Sequence, residues 1–342
     1  MGGLIYDSGG GAVTQLHDLR GGTEAWYRRK AFFCGLCVAL LFFLPFIIFD
    51  KGYFLFYGDF NVQQVPFYQM CHDAVRSGQW GWSWTTDLGA NFVGSYSFYL
   101  LGSPFFWLTI PFPSAAVPYL MGPLLILKFG CASLTSYLYL RRYAVIGAML
   151  YAFSGFSIYN IFFNHFHEAI IFFPLMLWAL DEYMYNRRRY VFAFTVFLCC
   201  TVNYYFFTGQ VAFLIIYWIV RMLAGSWDIS VKDFLLLLCE SVIGVLCACA
   251  MLIPTVLAVL QNSRIEAPPS GWNALLYDYN QRYVHILECF FFPPDIPARP
   301  NFTPNSEAKW ASLGAWLPLF SMTGVIAFLQ YRKKHWLKTL LL

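Results

Sequence analysis

Asp59 stands in the stretch GDFNVQQ, together with Gln63 and Gln64, just beyond a first long apolar run. A carboxylate there can take a proton from a hydroxyl group or hold a cation. The two amides after it can hydrogen-bond sugar hydroxyls or a phosphate. The plainer reading is a solvated turn. Farther on, GQWGWSWTTDLGAN brings Asp87 and Asn91 behind Trp80, Trp82 and Trp84. Tryptophans in such a loop serve first as an aromatic belt at a membrane surface and second as faces for stacking on sugar rings. NHFHE supplies His167 and Glu168, either a proton-transfer pair, part of a metal site, or simply solvated groups at the water boundary. NYYFFTGQ supplies Asn203 and Tyr204, and QNSRIE supplies Arg264. The fork of Arg264 suits a phosphate, and a snorkelling arginine is the alternative. Lys128 lies inside an apolar helix, where it needs a partner, a cavity or its own stem to reach water. Glu240 reads as a snorkelling residue near a helix end. If a divalent metal binds, Asp59, Asp87 and Glu168 are its candidate ligands. No glycine-rich phosphate loop and no paired CxxC are present, so no cofactor is required.

The elements that must position these groups are transmembrane helices. The 342 residues are 59% hydrophobic and 12% charged, about half the charged share of a soluble domain. The apolar residues also run in stretches long enough to span a bilayer. The chain therefore reads as an all-α polytopic membrane protein. Its helices fall near 31–49, 116–140, 144–162, 169–186, 190–208, 210–227, 234–259 and 310–330, about eight spans. Residues 1–27 read as a disordered cytoplasmic tail and 28–342 as one transmembrane domain. Arg28, Arg29, Lys30, Arg187, Arg188, Arg189, Arg332, Lys333 and Lys334 all fall on one side if the N-terminus is cytoplasmic, as the positive-inside rule requires. The acidic and amide groups named above then gather on the outer face, largely in loops at about 50–115 and 261–309. The formal charge of +4 is small, and no nucleic-acid partner is expected.

Within the first outer loop, Phe67, Met70, Cys71, Ala74 and Val75 recur at one-face helical spacing after Pro66, with Gln69, His72, Asp73 and Arg76 opposite. The pattern predicts a helix of about three turns lying on the outer leaflet. SFYLLGSPFFWLTIPF, at 97–112, is apolar but short and broken by prolines, so it reads as re-entrant or interfacial. Of the 10 cysteines, only Cys71 and Cys289 fall in outer loops, which makes them the one pair an extracellular bridge could join.

Five segments in order, GDFNVQQVPFY, LGANF with SYSFYLLGSP, SGFSIYN with NHFHEAIIFFPL, NYYFFTG and PTVLAVLQNSR, resemble the bacterial YfhO family, which belongs with the GT-C glycosyltransferases. The resemblance runs from about residue 31 to the end. It implies a GT-C-like helical bundle whose first outer loop carries a catalytic acidic residue, at the position of Asp59. It implies a sugar donor linked to polyprenyl phosphate and an extracytoplasmic acceptor such as lipoteichoic acid or another cell-wall polymer of Gram-positive bacteria. Family members are longer, and LQYRKKHWLKTLLL reads as the approach to a further helix, so the chain is expected to be the N-terminal part of a longer architecture. NHFHE departs from the family pattern, where a tryptophan and an aspartate are expected near the asparagine; Glu168 is the candidate to replace that aspartate.

A non-enzymatic membrane protein, either a flippase or transporter of lipid-linked sugar or a scaffold for a separate transferase, is the rival reading. Lys128 is the residue that favours transport; the absence of an internal repeat and the one-sided polar groups favour transfer. For the topology, a cysteine introduced by Arg187→Cys is expected to resist a membrane-impermeant thiol reagent added from outside. Labelling in intact cells would overturn the helix count and the orientation together.

Overall fold

In the computed structural model the described residues are 21–56, 58–86, 89–140, 144–223, 225–227, 230–260, 290–291, 316–317 and 322–331. Helix α1 (Gly21–Phe49) is apolar around its whole circumference and exposes Leu41, Phe42, Phe46 and Phe49, as a lipid-facing helix should. It starts at Gly21, within the stretch expected as tail. The Glu24–Arg28 pair at 2.6 Å supports that extra turn.

Five described helical stretches are long and apolar enough to cross a membrane: Glu24–Phe49, Ser114–Leu140, Val145–Phe162, Tyr204–Leu223 and Val231–Leu260. The all-α membrane architecture thus stands, while eight spans do not appear among the described residues. The differences have physical reasons. Helix α8 (Phe166–Asn186) is long, but Glu168, Asp181, Glu182 and Asn186 dilute its apolar run. Helix α9 (Val191–Val202) has 12 residues and covers only about 18 Å of a ~30 Å core. It stops short of the expected residue 208 because Asn203 is extended, with φ −158°. The Asn203 amide donates to the Phe98 carbonyl at 3.3 Å, and its oxygen accepts from Phe206 N at 3.2 Å, which starts helix α10 (Tyr204–Leu223). The final expected span is described only as α12 (Thr323–Tyr331).

Between α1 and the long helix α5 (Val117–Leu140) the chain folds down onto the protein. A π-helical turn (Phe60–Gln64) runs straight into α2 (Val65–Ser77), which has a proline in its first turn and left-handed Gly78 as its stop. The predicted helix is present, but its apolar face does not lie open to a leaflet. Cys71 is fully buried, and Phe67, Met70, Ala74 and Val75 pack on the core. His72, expected on the polar face, is also fully buried: its Nε2–H donates to the Phe112 carbonyl at 3.0 Å, and Arg76 donates to the same oxygen at 2.6 Å. Tyr68, Cys71 and His72 form a second i, i+3, i+4 stripe, so protein covers α2 on two sides. Cys71 is a free thiol, which burial pushes up in pKa, and Cys289 lies outside the described residues. A two-residue ribbon then pairs Trp82 with Asn91 and Ser83 with Ala90, followed by α3 (Phe92–Tyr96).

Residues 97–112 do not span. A π-helical turn (Ser97–Leu101) and the single turn α4 (Pro104–Trp107) bury Leu100, Leu101, Phe105, Phe106 and Thr109 inside the protein. Irregular backbone at that depth must be satisfied locally. Ser103 Oγ accepts from Phe106 N at 3.1 Å, and Trp107 Nε1 donates to Leu101 O at 2.8 Å.

Helices α6 (Ala144–Ala152) and α7 (Gly155–Tyr159) continue as a broken span toward α8, and α11 (Val231–Leu260) packs along α9. Glu240 on α11 does not snorkel. It is 5% exposed and accepts from Tyr190 N at 3.0 Å and Ala193 N at 3.3 Å, capping the open N–H groups at the start of α9. One core joins α1, the first loop and α5 around Phe43, Phe60, Phe92, Leu125 and Phe129. A second joins α8, α9 and α11 around Met176, Leu180, Phe192 and Val196.

Gly102 sets how closely the re-entrant segment meets α9, because a Cβ there would lie 1.8 Å from the Thr201 carbonyl oxygen. Gly102→Ala is expected to destabilise by about 3 kcal/mol, the upper end of overpacking costs, since backbone cannot move aside. Gly209→Ala, which meets nothing within 4 Å, is the control. Thermal unfolding in detergent should separate the two; equal midpoints would refute the close packing.

Candidate functional site

Lys128 projects from the middle of α5 into the space between α5, α8 and the re-entrant segment, and it is 1% exposed. Its ammonium has three donors and finds three acceptors. These are Glu168 Oε1 at 2.8 Å, the Asn164 carbonyl at 3.0 Å and Asn164 Oδ1 at 3.1 Å. Glu168 lies in the first turn of α8, where the helix dipole favours a carboxylate. Ser103 Oγ donates to the same Glu168 oxygen at 2.6 Å, and Tyr68 stands beside Ser103 and Asn164. The second oxygen, Oε2, has no partner among the described residues. Phe105, 5.4 Å beneath the ammonium, closes the site on one side.

A second polar layer lies toward the first loop. His165 Nδ1 is 3.2 Å from Gln64 Oε1, and the Gln64 amide donates to Gln63 Oε1 at 3.2 Å. An amide oxygen only accepts, so the proton sits on Nδ1 and Nε2 keeps its lone pair. Burial first, and the Lys128 charge second, lower the His165 pKa to about 3, so the ring is neutral at physiological pH. Phe98, Tyr99 and Phe166 box the ring at centroid distances of 5.0, 5.1 and 4.6 Å.

The structure thus brings Lys128, Glu168 and Gln64 into one buried region but leaves His167 out of the ion pair. Its ring lies against Phe129 at 5.1 Å instead, because consecutive helical residues point about 100° apart. Glu168 is already held by Lys128 and Ser103. Among the described residues no group of three His, Cys, Asp or Glu side chains could hold a metal ion. Asp59 is half-buried at the head of the π-helical turn, and no hydrogen bond or ion pair to its carboxylate is found among the described residues. Asn61 holds that turn by bonding both the N–H and the carbonyl of Phe56. Asn91 caps α3 by accepting from Gly94 N at 2.8 Å. Tyr204 sits 5.8 Å from Phe98. Asp87 and Arg264 lie outside the described residues. Sequence reasoning missed Ser103 and Tyr68; it placed Asn164 and His165 in the same polar cluster as Glu168 without giving them a role. The Ser-Pro step in LGSP was a usable signal for the first, since it marks an N-cap whose hydroxyl is aimed inward.

The family model for the bacterial membrane protein YfhO matches residues 31–341. This chain belongs to the YfhO family. Comparison with curated proteins and with solved structures gives no match. The YfhO match begins within α1 and includes every residue of both polar layers.

The ion pair is tested by a mutant cycle. Lys128→Met leaves a buried carboxylate unpaired and is expected to cost about 3–5 kcal/mol. Adding Glu168→Gln should return most of that loss, because the amide can still accept from Ser103. Unfolding midpoints that fall additively in the double variant would show that the two side chains do not interact.

Proposed function

We propose that this YfhO-family protein is a membrane glycosyltransferase that moves a sugar from a polyprenyl-phosphate carrier to an extracytoplasmic cell-wall polymer such as lipoteichoic acid. The observation that carries the reading is the state of Asp59. It is the first-loop acidic residue that the family resemblance points to, it is partly buried, and its carboxylate is not committed to any described partner. In that state it can act as a general base. Glu168 is less suited, since it is buried and the ammonium and the serine hydroxyl both occupy its Oε1.

In the proposed step Asp59 takes the proton of an acceptor hydroxyl. The oxygen attacks the anomeric carbon from the face opposite the carrier. A new C–O bond forms, the bond from the anomeric carbon to the phosphate oxygen breaks, and the configuration inverts. The lipid phosphate leaves with the electron pair and needs a cation nearby. Lys128 is enclosed by Glu168 and Asn164, so Arg264 is the residue to supply that charge. The reaction needs no cofactor, and a divalent cation at Asp59 and Asp87 would add charge stabilisation without changing the bonds made and broken. The rival transport reading draws on Lys128 as a mid-membrane charge; its pairing with Glu168 supports a structural role instead.

Asp59→Asn is expected to lower transfer by at least about 100-fold, in line with loss of a general base, while leaving the unfolding midpoint unchanged. The assay is transfer of labelled sugar from polyprenyl phosphate in proteoliposomes. A stable variant with full transfer would refute the role of Asp59. Movement of labelled lipid-linked sugar across vesicles without transfer would decide for the flippase.

A further inference from the structure

The first outer loop and the end of α11 enclose a cleft of about 790 Å³, within the size range of small-ligand sites, roughly 300–1,000 Å³. It is distinct from the buried ion pair. Its aromatic walls are Trp82, Phe67, Tyr96 and Tyr99; its polar groups include Thr85, Asn91 and Ser95. The described lining side chains carry no full charge at neutral pH.

We propose that this cleft binds an uncharged sugar ring, and that Trp82 is the face on which the ring stacks. The proposal rests on the transferase reading only for the ring's destination; the binding itself stands on the cleft. Three observations support it. The walls are held in place before any ligand arrives. Thr86 bonds the Tyr96 hydroxyl at 2.9 Å, Phe67 meets Tyr96 and Tyr99 edge-on at 5.1 and 5.0 Å, and Trp82 is pinned by its pairing with Asn91. The Trp82 indole also rests against Gly89, where a Cβ would come within 2.9 Å. Gly94 lets α3 approach α11 so closely that a Cβ there would lie 2.4 Å from the Ala258 Cβ, which closes the far wall.

The chemistry suits a pyranose better than a lipid tail. The Asn91 oxygen is used by Gly94 N, which leaves its amide N–H groups to donate to a hydroxyl. Trp82 is 55% exposed at the rim, and the hydroxyls and amide alternate with the ring faces, as a flat ring with apolar faces and polar edges requires. The cleft also adjoins the second polar layer. Tyr99 lines it and meets His165 edge-on at 5.1 Å, and His165 Nδ1 bonds Gln64. A sugar here would be separated from the turn that follows Asp59 by the Tyr99 and His165 rings.

The test uses the full chain in lipid nanodiscs and saturation-transfer NMR. The probes are the uncharged methyl glycosides of glucose, galactose and N-acetylglucosamine, with glucose 1-phosphate for comparison. At least one methyl glycoside should take up saturation at its ring protons. Trp82→Ala should weaken that binding about three- to tenfold, the range for loss of one aromatic contact. Trp82→Phe should keep most of it, and Trp80→Ala, whose ring stacks on Trp107 and does not line the cleft, should change nothing. Glucose 1-phosphate should bind no better than its neutral counterpart. No saturation of any methyl glycoside, equal binding by Trp82→Ala, preference for the phosphate, or saturation confined to lipid alkyl protons would overturn the proposal. Asp59→Asn keeps the two readings apart: glycoside binding retained with transfer lost supports both. Binding in a wild-type protein that transfers nothing would sink the reaction and spare the cleft.

Discussion

The contact between Lys128 and Glu168 is the constraint on which the arrangement depends. A lone ammonium or carboxylate at that depth would cost several kcal/mol, so neither helix can take its place without the other. The pair ties the middle of α5 to the first turn of α8. Ser103 adds the re-entrant segment through the same carboxylate oxygen, and Asn164 adds the junction before α8. Three pieces of chain far apart in sequence thus meet at one charge. An apolar pair of equal volume would hold them about as strongly. What the ion pair adds is direction: hydrogen bonds fix the rotation of α5 and the register of the re-entrant turn, which greasy contacts alone leave free to slide.

Once that centre is fixed, the loop between α1 and α5 has a solid floor. Tyr68 and His72 can then turn inward from α2, with Phe112 closing over His72. The loop is therefore a folded cap on the helices, and its exposed groups inherit fixed positions. Gln64 reaches His165, the π-helical turn ends against α2, and Asp59 is left at the turn's open end. The polar groups divide into two classes by burial. Those at the centre are largely held by one another, with Glu168 Oε2 left without a partner among the described residues. Those at the loop's outer edge are aligned but unspent, and chemistry with a ligand needs the second kind.

Much of this was legible in the sequence. The long apolar runs gave the helices, because spanning length is a strong and simple signal. The proline-led period of α2 and the proline-broken stretch at 97–112 were also readable, since each rests on local backbone rules. The partners were not. Nothing local says that Lys128 will meet Glu168 forty residues on, or that Glu240 will cap α9 through Tyr190 and Ala193. Both looked like snorkelling or cavity-lining groups because a single helix offers a charge only its own stem. His72 misled for a related reason: a helix can be buried on two stripes, and the amphipathic pattern marks only the greasier one. Asn203 fell inside the expected helix 190–208, whereas its bonds to Phe98 and Phe206 end α9 early, and the bond to Phe98 is tertiary.

The short α9 follows from the same logic. At 12 residues it cannot cross a bilayer alone, yet its ends are not exposed to unmet hydrogen-bonding demand. Glu240 satisfies the N–H groups at one end. At the other end Asn203 turns the chain, and Gly102 admits the Thr201 carbonyl to close contact with the re-entrant segment. A short helix and a re-entrant turn, each too short to span, therefore meet tip to tip inside the protein. Their junction lies beside Phe98, whose ring borders both His165 and Tyr204. Irregular backbone at membrane depth is tolerated only where protein or water satisfies it. Here protein does so, and the polar layers of Lys128 and His165 occupy the depth that two half-length elements open up.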